Sequence, residues 1–127
     1  TMEQKDRLLD SDYSHLVLLV KNDTGYRNLL AIVSKAFTVG FYQKPRTDIE
    51  TLEKHSEGLI ALSGCISGSI PKAILAGDMS LARERIIIHS RIFGKDNFII
   101  PSMIAILIAL AASKGYLQRK EGAENEL

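Results

Sequence analysis

A single cysteine, Cys65, stands in the 127 residues. That excludes an internal disulfide framework, a Cys-x-x-Cys pair and a four-cysteine zinc site, and it suits a reducing, cytoplasmic setting. Charge of one sign is equally scarce, since 16 basic and 15 acidic residues leave a formal net charge of +1. No overall field draws such a chain to nucleic acid or to an anionic membrane. Long apolar runs are missing too. The longest, residues 99–112, is interrupted by Pro101 and Ser102 and falls short of the roughly 20 residues that cross a bilayer, so no membrane partner is expected. Residues 1–12 are charged and lack the apolar centre of a signal peptide. Nucleophile-elbow, P-loop and His-Glu-x-x-His spacings are all absent.

What is present is ordinary globular material: 46% hydrophobic and 24% charged residues, in a chain long enough for one domain with a core. The central stretch is Ser56-Glu57-Gly58-Leu59-Ile60-Ala61-Leu62-Ser63-Gly64-Cys65. Four apolar residues between glycines predict a buried strand over 59–62, with Ser63, Gly64 and Cys65 as its exit into a loop. A second apolar run, residues 15–20, predicts another buried strand, closed by Lys21, Asn22 and Asp23. Thr24 is the expected N-cap of the helix that follows. Tyr26, Leu29, Leu30, Val33 and Phe37 form its sheet-facing side, and Gly40 is its stop.

Thr47-Asp48-Ile49-Glu50 has the spacing of a capping box, with Thr47 as cap, and opens a short helix to about His55. Residues 71–76 predict a helical turn ended by Gly77. Asp78 caps a longer helix over 79–93, and a turn at Gly94 leads to a third short strand over 97–100. This alternation predicts an α/β fold with a mainly parallel sheet. Residues 99–112 predict a buried helix with Pro101 in its first turn. Residues 1–14 and 113–127 are polar or charged and are expected to be exposed loop and flexible tail.

Chemistry-bearing residues are few. His15 opens the first strand and Cys65 closes the central one, so parallel neighbouring strands would put them at opposite ends. Taken alone, Cys65 reads as a buried structural thiol and His15 as a satisfied core or edge histidine. His55 ends a helix and His89 lies within one, neither with a metal-ligand partner in sequence. Residues 41–46 interleave Phe41 and Tyr42 with Lys44 and Arg46, as a nucleic-acid contact would, but the near-zero charge favours a loop packed on its own aromatics.

The run His15-Leu16-Val17-Leu18-Leu19-Val20-Lys21-Asn22, then Thr24-Gly25-Tyr26-Arg27-Asn28-Leu29-Leu30, Gly40-Phe41-Tyr42 and Lys44-Pro45-Arg46, resembles the PHP domain of bacterial replicative DNA polymerase III alpha subunits. The central stretch 56–65, Gly77-Asp78, Ile92-Phe93-Gly94 and Asn97-Phe98 extend the likeness in order across residues 1–98. The resemblance implies a partial PHP-type distorted β/α barrel of mainly parallel strands, whose loops hold divalent metal (Zn, Mn or Mg). It implies a phosphodiester-hydrolysing, proofreading exonuclease site in active members and a structural role in others.

The resemblance also assigns metal-ligand positions to His15 and Cys65 and implies that they converge. The family's His-x-His, Asp-His, Gly-x-Glu and Asp-x-His ligands lie outside the matched stretch. Ser69 stands where a glutamate is usual, and Ile99-Ile100-Pro101-Ser102-Met103 replaces a Glu-Leu-Gln-x-His type strand.

Two ligands fall short of the three or four that a zinc site takes. The chain alone is therefore expected to be inactive, an internal fragment of 1–98 followed by an apolar helix over 99–112 and a tail. Its implied partners are the rest of the polymerase, replisome subunits and DNA, with self-association through exposed apolar surface. The alternatives are a small stand-alone metal-dependent phosphoesterase completed by oligomerisation, with Asp12, Asp48 and His89 as further ligands, and a non-catalytic interaction module built on residues 99–112.

Overall fold

The computed structural model describes residues 13–103, 105, 106, 110 and 113. Expectations for residues 1–12 and 114–127 lie outside them. The element order is β1 (Val17–Val20), α1 (Asp23–Thr38), α2 (Ile49–Lys54), β2 (Leu59–Leu62), α3 (Ser69–Leu75), α4 (Met79–Phe93), a 3-10 turn over Lys95–Asn97, and β3 (Phe98–Ile99). The three strands form one sheet in the order β1-β2-β3. The α/β expectation holds, but the mainly parallel sheet does not hold among the described residues. β2 pairs with β3 in parallel, whereas β1 and β2 run antiparallel, with Val17 opposite Leu62 and Val20 opposite Leu59.

β2 is the central strand, and its boundaries are those that its flanking glycines predict. Its burial alternates, however. Leu59 and Ala61 are buried, while Ile60 and Leu62 are partly exposed. Its buried face meets Ile70, Ala73 and Ile74 of α3 and Ala82, Ile92 and Phe93 of α4 within one core cluster that also takes in Ile32, Leu52 and Phe98.

β1 departs further from expectation. Among the described residues it is an edge strand, and its Val17, Leu19 and Val20 are exposed. A continuous apolar run is compatible with burial on both faces, but among the described residues this run has a neighbouring strand on one side only.

Two caps differ from those predicted. Asn22, not Thr24, caps α1, its side-chain oxygen accepting a hydrogen bond from the Gly25 N–H at 2.9 Å. Asp48, not Thr47, caps α2 by accepting from the Thr51 N–H at 2.9 Å. Both winners are Asx side chains, the stronger class of cap. Asp78 caps α4 as expected, accepting from the Leu81 N–H.

The buried side of α1 is the predicted one only at Leu29, which packs against the core cluster. Gly25, Ile32 and Ala36 are buried, while Tyr26 and Phe37 are 57% and 59% exposed. α1 carries apolar residues around more than one face, and its small-residue side approaches the sheet. Gly25 makes that approach possible, since a Cβ there would stand 1.9 Å from the Gly58 carbonyl oxygen. The larger side chains Tyr26, Leu30, Val33 and Phe37 are left as an exposed stripe.

Beyond β3, Ser102, Met103, Ala105, Ile106, Leu110 and Ser113 have helical backbone, and the Ala105 N–H donates to the Pro101 carbonyl. Met103, Ile106 and Leu110 are exposed and do not form the expected buried surface. Among the described residues, no helix is long and apolar enough to cross a membrane.

Candidate functional site

The antiparallel pairing decides the geometry of the site. Continuing the β1–β2 register two residues past Val17 and Leu62 places His15 opposite Gly64. Gly64 has φ 82°, a left-handed conformation that other residues rarely adopt, and a Cβ there would come within 2.7 Å of the His15 carbonyl oxygen. The loop then folds back over the same strand end. The His15 N–H donates to the Ser67 carbonyl at 3.1 Å, and the Gly68 N–H donates to the Cys65 carbonyl at 2.8 Å. Gly68 is needed for this closure, because a Cβ would meet the Ser63 carbonyl oxygen at 2.2 Å.

The result is a convergent pair. Cys65 Sγ stands 3.8 Å from His15 Nδ1, across 50 positions of sequence, and both side chains are exposed. Cys65 is thus not the buried structural thiol that its position alone suggests. Tetrahedral zinc with its usual bonds to sulfur and imidazole nitrogen holds those two atoms about 3.6 Å apart. The observed separation suits two corners of such a site. The donor set suits it as well, since thiolate and imidazole favour zinc over magnesium. The set is incomplete: among the described residues, no group of three or more His, Cys, Asp or Glu side chains gathers.

The remaining candidates have structural occupations. Asp48 caps α2. His89 is buried in α4, its Nδ1–H donating to the Arg85 carbonyl at 2.7 Å and its ring stacked on Phe98 at 5.4 Å. His55 caps the end of α2 and donates from Nδ1 to the Asn28 side-chain oxygen at 3.3 Å. Asp12 lies outside the described residues.

Residues 41–46 turn their cations onto aromatics of the chain itself. Lys44 lies over the Tyr13 ring and Arg46 over the Tyr42 ring, each at 5.4 Å, and Arg46 Nε donates to the Gly40 carbonyl. Ser69, in the position where a glutamate was expected, offers its carbonyl to the Arg85 guanidinium.

One residue beside the pair escaped the sequence reading. Ser63 is 3% exposed, and its hydroxyl has no hydrogen-bond partner among the described residues. The alternation of β2 would have found it, since Leu59, Ala61 and Ser63 fall on one side. Its main-chain N–H is satisfied by the Ile99 carbonyl. Ser63→Ala removes an unpaired buried hydroxyl, so stability is expected to stay level or rise by about 1 kcal/mol. Urea denaturation reads the change, and a loss of that size would mean that the hydroxyl is bonded in solution.

The PHP domain family matches residues 2–102, a span that includes His15, Cys65 and every strand of the sheet. The chain belongs to the PHP domain family. It is 43% identical over 98 residues to DNA polymerase III subunit alpha of Treponema pallidum, which covers 77% of this chain and 8% of that protein. It is 50% identical over 91 residues to the Thermus aquaticus subunit, covering 72% of the chain and 8% of that protein. With the Borreliella burgdorferi subunit it shares 44% identity over 98 residues, again covering 77% and 8%. This PHP chain therefore spans about 8% of the length of the curated relatives it matches.

Proposed function

We propose that the chain serves as part of the PHP domain of a bacterial replicative DNA polymerase III alpha subunit, a cytoplasmic enzyme of DNA-directed DNA synthesis. In that setting it acts as scaffold for the polymerase. It contributes His15 and Cys65 as two ligands of a divalent-metal site, and the remaining donors come from parts of the domain beyond the described residues. The rest of the polymerase, other replisome subunits and DNA are its partners there. Residues 1–98 carry this role, with 99–112 an apolar helix and 113–127 a tail.

The observation that carries the reading is the convergence of His15 and Cys65 at one strand end, within a stretch shared with alpha subunits at 43–50% identity. Exposed apolar side chains on β1 and α1 support it as well, since they offer surface against which further domain elements pack. When bound, a metal in such a domain activates water for phosphodiester hydrolysis. Two donors alone do not support that chemistry in this chain.

A chimera tests the role. The segment equivalent to residues 13–98 is replaced in the Thermus aquaticus alpha subunit by the present sequence. DNA synthesis on a primed template is expected within about threefold of the parent. In the same chimera, Cys65→Ser with His15→Ala is expected to lower the bound metal per polymerase with little change in synthesis. A chimera that aggregates or loses synthesis more than a hundredfold would overturn the scaffold role.

A further inference from the structure

We propose that Lys72 is a positioning residue that holds His15 against Cys65. Its use, though not its geometry, rests on the reading of those two side chains as metal ligands. His15 lies two residues before Val17, the first residue of β1 in the ladder with β2. Chain beyond the last rung of a ladder frays unless something ties it down. An exposed side chain on a fraying end would meet Cys65 only part of the time.

Lys72 supplies the tie. It stands on α3 between the buried residues Pro71 and Ala73, so its stem leaves from a platform fixed in the core. Its main-chain N–H donates to the Gly68 carbonyl at 3.1 Å, and the Gly68 N–H donates in turn to the Cys65 carbonyl at 2.8 Å. Its side-chain Nζ donates to the Tyr13 carbonyl at 2.9 Å, across 59 positions of sequence. One residue thus grips both the loop that carries Cys65 and the segment that carries His15. The His15 N–H, bonded to the Ser67 carbonyl at 3.1 Å, joins the same two segments a second time. Lys44, 5.4 Å from the centre of the Tyr13 ring, adds a weaker hold on that segment, because an exposed cation–π contact is worth less than a hydrogen bond from a charged donor.

Disulfide trapping in the full 127-residue chain, whose single cysteine is Cys65, tests this without metal. With His15→Cys added, the equilibrium constant for closing the disulfide against a glutathione buffer reports how often the two positions meet. In that background Lys72→Met is expected to lower the constant at least about tenfold. Lys72→Arg, whose donors reach the same carbonyl, is expected to restore it to within about threefold. Lys44→Met is expected to lower it by about two- to fivefold. The urea midpoint of Lys72→Met is expected to stay near the parent's, because no rung of the ladder is removed. In the Thermus aquaticus chimera with His15 and Cys65 intact, Lys72→Met is expected to lower bound metal and Lys72→Arg to retain it.

Trapping unchanged by Lys72→Met would overturn the positioning role and leave the ligand pair standing. Trapping that falls only in step with overall stability, with no rescue by Lys72→Arg, would reduce Lys72 to a structural contact and overturn the role as well. If trapping falls and recovers as expected while bound metal in the chimera is indifferent to Cys65→Ser with His15→Ala, the positioning of the pair stands and its reading as metal ligands falls.

Discussion

Gly25→Ala is expected to cost more than about 3 kcal/mol of folding stability, towards the severe end of overpacking changes. The added methyl would stand 1.9 Å from the Gly58 carbonyl oxygen and 2.5 Å from its carbon. These are backbone atoms, so no rotamer change relieves the overlap. Gly58 cannot retreat cheaply either. It sits at φ 73°, its carbonyl accepts from the Lys21 N–H at 2.9 Å, and Leu59 beside it pairs with Val20. Moving it would loosen the first rung between β1 and β2 and disturb the Asn22 cap of α1. Small domains hold only about 5–15 kcal/mol in total, so a much weakened urea transition is expected.

Gly77→Ala is the comparison. Gly77 also has a positive φ, of 78°, but a Cβ there meets nothing within 4 Å, so about 1–2 kcal/mol of backbone strain is the expected loss. Equal midpoints for the two variants would refute the close approach of α1 to β2.

Leu59→Ala follows, with an expected loss of about 2–5 kcal/mol. Leu59 is 1% exposed and among the largest fully buried side chains. It lies on the central strand and belongs to the core cluster that joins the sheet to α3 and α4. Truncation removes its transfer free energy and leaves a cavity that both helices would have to move to fill. Ile60→Ala, on the half-buried side of the same strand, is expected to cost less than half as much by urea denaturation. If the two losses match, the strand is buried on both sides in solution, and the exposed surface seen here is covered by association.

Local signals were legible in the sequence where one residue type settles the matter. Gly58 and Gly64 bracket β2 at its observed ends, and Asp78 opens α4 where its side chain finds the Leu81 N–H. The helix expected over residues 71–76 runs from Ser69 to Leu75. Strand direction was not legible. The apolar run at residues 15–20 reads alike in either orientation, and pairing with β2 depends on where α1 and α2 return the chain. That orientation decides whether His15 and Cys65 meet, so the convergence came from resemblance and not from pattern.

The buried side of α1 was misread for a related reason. Tyr26, Leu30, Val33 and Phe37 form the stronger apolar periodicity, yet Gly25, Ile32 and Ala36 are the buried residues, and at Gly25 the close approach to Gly58 leaves no room for a side chain. Thr24 and Thr47 were plausible caps, displaced by neighbouring Asn22 and Asp48.

The β1–β2 pairing also has a consequence in time. β1 ends at Val20, and its partner strand begins at Leu59. A ribosome adding about 5–20 residues per second needs several seconds to make the interval. Through that delay a nascent chain has α1 available but not β2 beside β1, and His15 does not yet have Cys65 to meet. The apolar edge is then open to whatever lies near the tunnel exit. Slowing translation between codons 21 and 58 is therefore expected to lengthen the association of the nascent chain with a hydrophobic-binding chaperone, whereas slowing it after codon 99 leaves that association unchanged.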